Sequence, residues 1–213
     1  MKVSVQSFCV LALFMAGLAF ATCTAVSAAP LTGMALVQHL REGGYVLLMR
    51  HAHAPAEPPE KGMAAPDNRN IERQLDEAGR KSARAMGAAI RTLHIRVGAV
   101  LSSPAYRALE TIRYAALGPA KTHAELGDGG QSMMASAVSG QADWLRKMVG
   151  ERPKPDANTI IVTHMPNIQA AFKQDAAGLG DGEALVFQPD GSGGANLVAR
   201  VKIEDWPSLA GSR

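Results

Sequence analysis

Tyr45-Val46-Leu47-Leu48-Met49-Arg50-His51-Ala52-His53 sets five residues of unbroken apolar character directly before Arg, His and a second His. A strand with one wet face alternates apolar with polar residues, so a continuous run of this length reads as a strand buried on both faces. Two further runs behave alike: Ala99 to Leu101 leads into Ser102-Ser103-Pro104, and Thr159 to Thr163 leads into His164. Ala184 to Phe187 and Asn196 to Val201 supply late strands. Between them lie helical stretches. Leu75, Ala78, Ser82, Ala85, Met86, Ala89, Ile90 and Leu93 fall at helical spacing. Thr32 to Arg41, Ser103 to about Ala116, Met133 to Val149 and Asn167 to Lys173 suit further helices, with Ser103 as a cap and Pro104 in the first turn. Strands alternating with helices, the strands buried on both faces, predict an α/β protein: a three-layer α/β/α sandwich with a mostly parallel central sheet.

Working outward, the segment Ala54 to Asn70 holds four prolines and reads as a long loop, and Leu117 to Gln131 as a second one. Over the whole chain of 213 residues, 47% are hydrophobic and 19% charged, which excludes a disordered chain. The net charge of +3 comes without a dense Lys/Arg block, so no nucleic-acid partner is expected. Lys2, the apolar run Phe8 to Ala21 and the small residues Ala25-Val26-Ser27-Ala28 read as a signal peptide over residues 1–28. Residues 29–213 then form one domain, periplasmic or secreted, with no stable membrane anchor after cleavage. Both cysteines, Cys9 and Cys23, fall in the leader. The remaining chain can form neither a disulfide nor a thiolate nucleophile.

In an open α/β sheet, sites form beyond the carboxyl ends of the strands. Parallel strands would bring Arg50, His51, Arg107 and His164 to one edge, with no carboxylate among the strand-end positions. Such a cluster repels itself unless an anion sits in it. Phosphate suits it, because guanidinium forks bind its oxygens in pairs and a helix start at Ser103–Arg107 would add backbone N–H donors.

Leu48-Met49-Arg50-His51-Ala52 resembles the Arg-His-Gly signature of the histidine phosphatase superfamily, the phosphoglycerate-mutase-like family. Ser102-Ser103-Pro104-Ala105-Tyr106-Arg107-Ala108-Leu109-Glu110-Thr111 is similar to its Ser-Ser-Pro-x-x-Arg-Ala-x-x-Thr motif. Leu75-Asp76-Glu77-Ala78-Gly79-Arg80 resembles its Leu-x-x-x-Gly-Arg helix start, and Val162-Thr163-His164-Met165-Pro166-Asn167 its second-histidine segment. The four stand in family order between about residues 44 and 201. The resemblance implies that His51 is the nucleophile and carries a phosphohistidine. It implies that Arg50, Arg107 and His164 hold the phosphoryl oxygens, His164 also acting in catalysis, and that neither metal nor cofactor is needed. The general acid it implies is placed on Glu125, with Asp128 as the alternative.

The resemblance therefore implies an exported phosphomonoesterase acting on a small phosphorylated substrate. A protein-phosphohistidine phosphatase and a non-catalytic phosphate- or sugar-phosphate-binding protein are the alternatives. Ala52 departs from the family's Gly, a strain only if that position needs positive φ. Ala54-Pro55-Ala56 departs from the polar residues usual after the signature, so His53, Asn167 and Ser103 are candidates to complete the phosphate shell. His51-Ala52-His53 also has the His-x-His spacing of a metallohydrolase, but Pro55 and Ala56 stand where further ligands would be wanted. His39, His94 and His123 read as structural, Asp181 and Glu183 as turn residues, and Arg69, Arg73, Arg80, Lys81, Arg84 and Arg91 as a solvated basic face.

Overall fold

The computed structural model of the chain describes residues 29–128 and 135–211. The expected leader over residues 1–28 and the start of the expected helix at Met133-Met134 lie outside the described residues. Helix α1 (Gly33–Glu42) precedes strand β1 (Val46–Arg50). After the long proline-bearing loop come α2 (Glu77–Thr92), β2 (Val97–Ser102), α3 (Tyr106–Ala115) and a two-residue strand β3 (Lys121–Thr122). The chain continues through α4 (Ala135–Gly150), β4 (Asn158–Thr163), α5 (Met165–Phe172), β5 (Ala184–Pro189), β6 (Ala195–Val201) and α6 (Trp206–Gly211). No helix among the described residues is long and apolar enough to cross a membrane.

The six strands form one sheet in the order β3-β2-β4-β1-β5-β6. The first four run parallel, while β5 lies antiparallel to β1 and β6 antiparallel to β5. The expected α/β sandwich is therefore present, on a mixed sheet. The antiparallel pairing of β6 with β5 has a simple cause. Only residues 190–194 separate β5 from β6, and a parallel crossover needs a dozen residues or more. Exposed β3 was not expected, because two residues carry no periodicity.

The pleat explains the apolar runs. Along β1, Leu47 and Met49 enter one core with Leu36, Leu40, Leu75, Met86 and Ile90, whereas Val46 and Leu48 enter a second with Leu145, Ile161, Ile168 and Phe187. Successive side chains point to opposite faces, so a strand covered on both sides has no position for a polar residue. α1, α2, α3 and α6 supply the first layer and α4 and α5 the second.

Close helix packing is set by α2. A β-carbon on Gly87 would run into the Ala115 carbonyl of α3, and one on Gly79 into the His53 carbonyl beside the signature. Ordinarily Gly→Ala inside a helix adds about 1 kcal/mol of propensity, but overpacking against backbone costs about 1–3 kcal/mol. Gly87→Ala is expected to lower the urea midpoint without changing the slope of the transition. A raised midpoint would show that α2 and α3 are not in this contact.

Candidate active site

β1, β2 and β4 end side by side, and the chain stays tied where they end. His51 N–H donates to Thr163 O (3.1 Å), Ser103 N–H to Val162 O (2.9 Å), and Gly182 N–H to His51 O (2.9 Å). His51 and His164 are thereby held with ring centroids 5.3 Å apart and planes at 61°. Arg107, 5% exposed, reaches between them from α3. Its Nε donates to His51 Nε2 (3.1 Å) and its Nη2 to His164 Nδ1 (2.9 Å).

A guanidinium has donors and no acceptor, so both of those ring nitrogens carry lone pairs. The remaining nitrogens are then the protonated ones. His51 Nδ1 donates to Ala52 O (2.7 Å), and His164 Nε2 donates to Ser103 Oγ (2.8 Å). His51 is left with its Nε2 lone pair facing the cluster, as a nitrogen nucleophile requires.

The two motif residues around Arg107 are explained by the same contacts. Thr111, one turn on from Arg107, donates to the Arg107 carbonyl (2.9 Å) and accepts from Ala52 N–H (3.0 Å). It couples α3 to the backbone that orients His51. Ala52 itself is buried and is not among the residues of positive φ, which outside glycine are Ile71, His94, Ala116 and Asp156 among the described residues. Alanine is therefore unstrained there.

No carboxylate stands at the strand ends, but two reach the cluster from elsewhere. Asp128 Oδ2 meets Arg107 Nη2 at 2.5 Å, and Asp181 Oδ1 lies 2.8 Å from Arg50 Nη2. Both aspartates come from loops rather than strand ends, so strand-end logic could not find them. Asp181, read from sequence as a turn residue, is a site neighbour. Its approach to Arg50 is an ion pair without hydrogen-bond alignment, for Arg50 Nε and Asp181 Oδ1 are both buried with no hydrogen-bond partner.

Glu125 is not brought to the cluster by any contact. Its carboxylate enters no hydrogen bond or ion pair with a described residue, whereas its backbone carbonyl accepts from Asn167 Nδ2 (3.3 Å). Asn167 also donates to Gly127 O (2.7 Å), and Thr163 Oγ1 donates to Leu126 O (2.8 Å). Asn167 thus spends its donors fastening the turn that precedes Asp128, instead of lining the phosphate position. His53 turns to Asp76 (Nδ1 to Oδ2, 2.9 Å), and Ser103 to His164.

Two further corrections concern α3 and the basic stretch. The helix starts at Tyr106 with Ala105 as its cap, and its free N–H groups are partly taken: Ala105 N–H donates to Ser103 Oγ (3.1 Å) and Tyr106 N–H to Glu72 Oε2 (3.0 Å). The expected row of backbone donors is therefore reduced. Arg73 precedes α2, so it cannot belong to a helix face. It donates to the Pro55 carbonyl (2.6 Å) and the Ala54 carbonyl (3.0 Å). Burial, with Arg107 and Arg50 nearby, lowers its proton affinity, and its charge acts on both His51 and His164. It is a third guanidinium at the site, missed because its neighbours Arg69 and Arg80 suggested solvated charge. Glu110, rather than pairing with Arg107, accepts from Leu75 N–H (2.6 Å) and Arg113 Nη2 (3.2 Å), which pins the Arg73 segment against α3.

Burial is the main force on both imidazoles. It lowers His51 to about 4, with Arg107, Arg50 and Arg73 adding repulsion and the Ala52 carbonyl opposing. His164 falls to about 3 through burial, Arg107 and His51, with Asp128 opposing. Each folded value lies below the ordinary 6.5 of histidine. Below about pH 6.5 the unfolded chain binds protons that the folded chain refuses, so this stabilisation is present above that pH and is lost as pH falls through the folded values. An NMR titration of the imidazole carbons is expected to place both midpoints below about 5. A midpoint near 6.5 for either ring would show that it is not enclosed as described.

The comparisons follow the same lines. The family model of the histidine phosphatase superfamily (branch 1) matches residues 46–129. No curated protein sequence matches. Among solved structures, the protein histidine phosphatase SixA complexed with tungstate is similar at 19% identity, over 76% of this chain and 98% of that one, with a TM-score of 0.54. A putative phosphohistidine phosphatase SixA from Agrobacterium tumefaciens is similar at 19% identity, over 74% and 97%, with a TM-score of 0.52. A mutant phosphoserine phosphatase from Entamoeba histolytica in complex with phosphoserine is similar at 13% identity, over 75% and 98%, with a TM-score of 0.51. These identities speak for the fold, and the stretch similar to the histidine phosphatase superfamily contains Arg50, His51 and Arg107 in the arrangement just described.

Proposed function

We propose that the chain is an exported, metal-independent phosphomonoesterase that works through a phosphohistidine on His51. The observation that carries this reading is the pair of hydrogen bonds fixing His51: Nδ1–H on the Ala52 carbonyl, and a lone pair at Nε2 that accepts from Arg107 Nε. A phosphate dianion entering the cluster takes the donors that Arg107 now gives to the rings, together with those of Arg50 and Arg73. His51 Nε2 then forms a bond to phosphorus as the bond to the leaving alkoxide breaks. Water attacks the phosphohistidine in a second displacement, which returns phosphate and free His51. Positive charge on the three arginines supplies the stabilisation that a metal supplies elsewhere.

Asp128 is the acid in this scheme, in place of Glu125. Arg107 neutralises it. Once the dianion claims Arg107, the Asp128 carboxylate faces negative charge, which raises its affinity for a proton. It gives that proton to the alkoxide oxygen and recovers one from the attacking water. This supply of a proton favours phosphate esters over phosphohistidine, whose imidazole leaving group needs less help. Export rests on the leader-like residues 1–28, and retention of Met1 in the exported protein would defeat their cleavage.

Turnover of p-nitrophenyl phosphate and of an alkyl phosphate, in buffer containing EDTA, tests the reading. His51→Ala is expected to abolish both, and brief incubation with labelled ester is expected to leave acid-labile phosphate on the wild-type protein. Asp128→Asn is expected to slow the alkyl ester by about 10²–10⁴-fold and the activated ester much less, with Glu125→Gln slowing neither. Binding of phosphate without turnover would instead favour the non-catalytic alternative, and a slow Glu125→Gln would return the acid role to that residue.

A further inference from the structure

We propose that Ser103 is a positioning residue that lets the His164 ring change tautomer when phosphate arrives, a role that rests on the phosphatase reading above. The proton of His164 is on Nε2, since Arg107 Nη2 donates to Nδ1 (2.9 Å) and Nε2 meets Ser103 Oγ (2.8 Å). That arrangement cannot persist with an anion in the cluster. Nδ1 is the nitrogen turned toward Arg107 and the site, so its lone pair would face phosphoryl oxygens as Arg107 moves its donor onto them. To hold an oxygen, Nδ1 must carry the proton, and Nε2 must then accept.

A serine hydroxyl is one of the few buried partners that can serve both states, because it has two lone pairs and one proton. Ser103 Oγ now accepts from His164 Nε2–H and from Ala105 N–H (3.1 Å). Its own O–H is not used by either bond. When the proton of His164 passes to Nδ1, rotation of this hydroxyl turns it into a donor to Nε2, while the Ala105 bond keeps the oxygen in place. A backbone carbonyl in the same place, like that of Ala52 for His51, would lock His164 as Nε2–H. A carboxylate would favour the imidazolium. Ser103 is wholly buried, so water does not compete for the switch. The two histidines thus face opposite partners: an acceptor that fixes one tautomer for the nucleophile, and a reversible partner for the ring that must both yield to an arginine and grip an anion.

Nitrogen-15 NMR of the imidazoles at pH 7, without and with saturating inorganic phosphate, tests this, because protonated and lone-pair nitrogens differ widely in shift. His164 is expected to read Nε2–H without phosphate and Nδ1–H with it, His51 staying Nδ1–H throughout. In Ser103→Ala, phosphate affinity is expected to fall by about tenfold, the size of one lost hydrogen bond to a buried group. An unchanged His164 tautomer with phosphate bound, an imidazolium with both nitrogens protonated, or a Ser103→Ala variant that binds phosphate as tightly as the wild type would overturn the role of Ser103 and leave the phosphatase reading standing. If phosphate perturbs neither His51 nor His164, both fall together. The wild-type measurement alone decides the tautomer, should the variant fail to fold.

Discussion

One guanidinium that can only donate governs the whole site. Arg107 stands between two imidazoles and gives a proton to each, and by doing so it dictates which nitrogen of each ring is bare. Its charge and the surrounding burial then keep both rings neutral far below their ordinary range. Every other arrangement at the sheet edge can be read as support for that contact. Thr111 joins the Arg107 backbone to Ala52, Asp128 pairs with the Nη2 that also serves His164, and Ser103 takes the proton that Arg107 drives to the far side of His164.

The fold supplies what such a contact requires, which is precision from three separate stretches of chain. Parallel neighbours β2, β4 and β1 bring Ser103, His164 and His51 to the same level, because each strand is tied to the next by hydrogen bonds up to and just past its end. The antiparallel strand β5 adds a fourth tie, since the turn leading into it places Gly182 N–H on the His51 carbonyl and Asp181 beside Arg50. Asn167 and Thr163 extend the same rigidity to the turn before Asp128.

The sequence disclosed the parts that depend on short-range pattern. Apolar runs gave β1, β2 and β4, helical spacing gave α2, and the residues that follow each strand pointed to His51, Arg50, Arg107 and His164. What it hid depends on side chains arriving from loops. Asp128 and Asp181 sit in segments rich in glycine, where nothing periodic marks one carboxylate over another, so the sequence leaves Glu125 and Asp128 as alternatives for the acid. Arg73 was hidden for a related reason: its basic neighbours resembled a wet helix surface, and only the observed start of α2 at Glu77 removes it from that surface. The antiparallel pairing of β5 with β6 was legible in principle, from the shortness of the segment between them.

The two ends of His51 differ in how they can be lost by mutation. At Nδ1 the partner is a peptide oxygen, which every amino acid at position 52 would provide, so the signature's last place tolerates alanine without altering the proton on His51. At Nε2 the partner is a single side chain with no substitute of equal reach. Inheritance therefore guards half of this imidazole's protonation pattern in the main chain, beyond the reach of any side-chain exchange, and leaves the other half to one arginine codon.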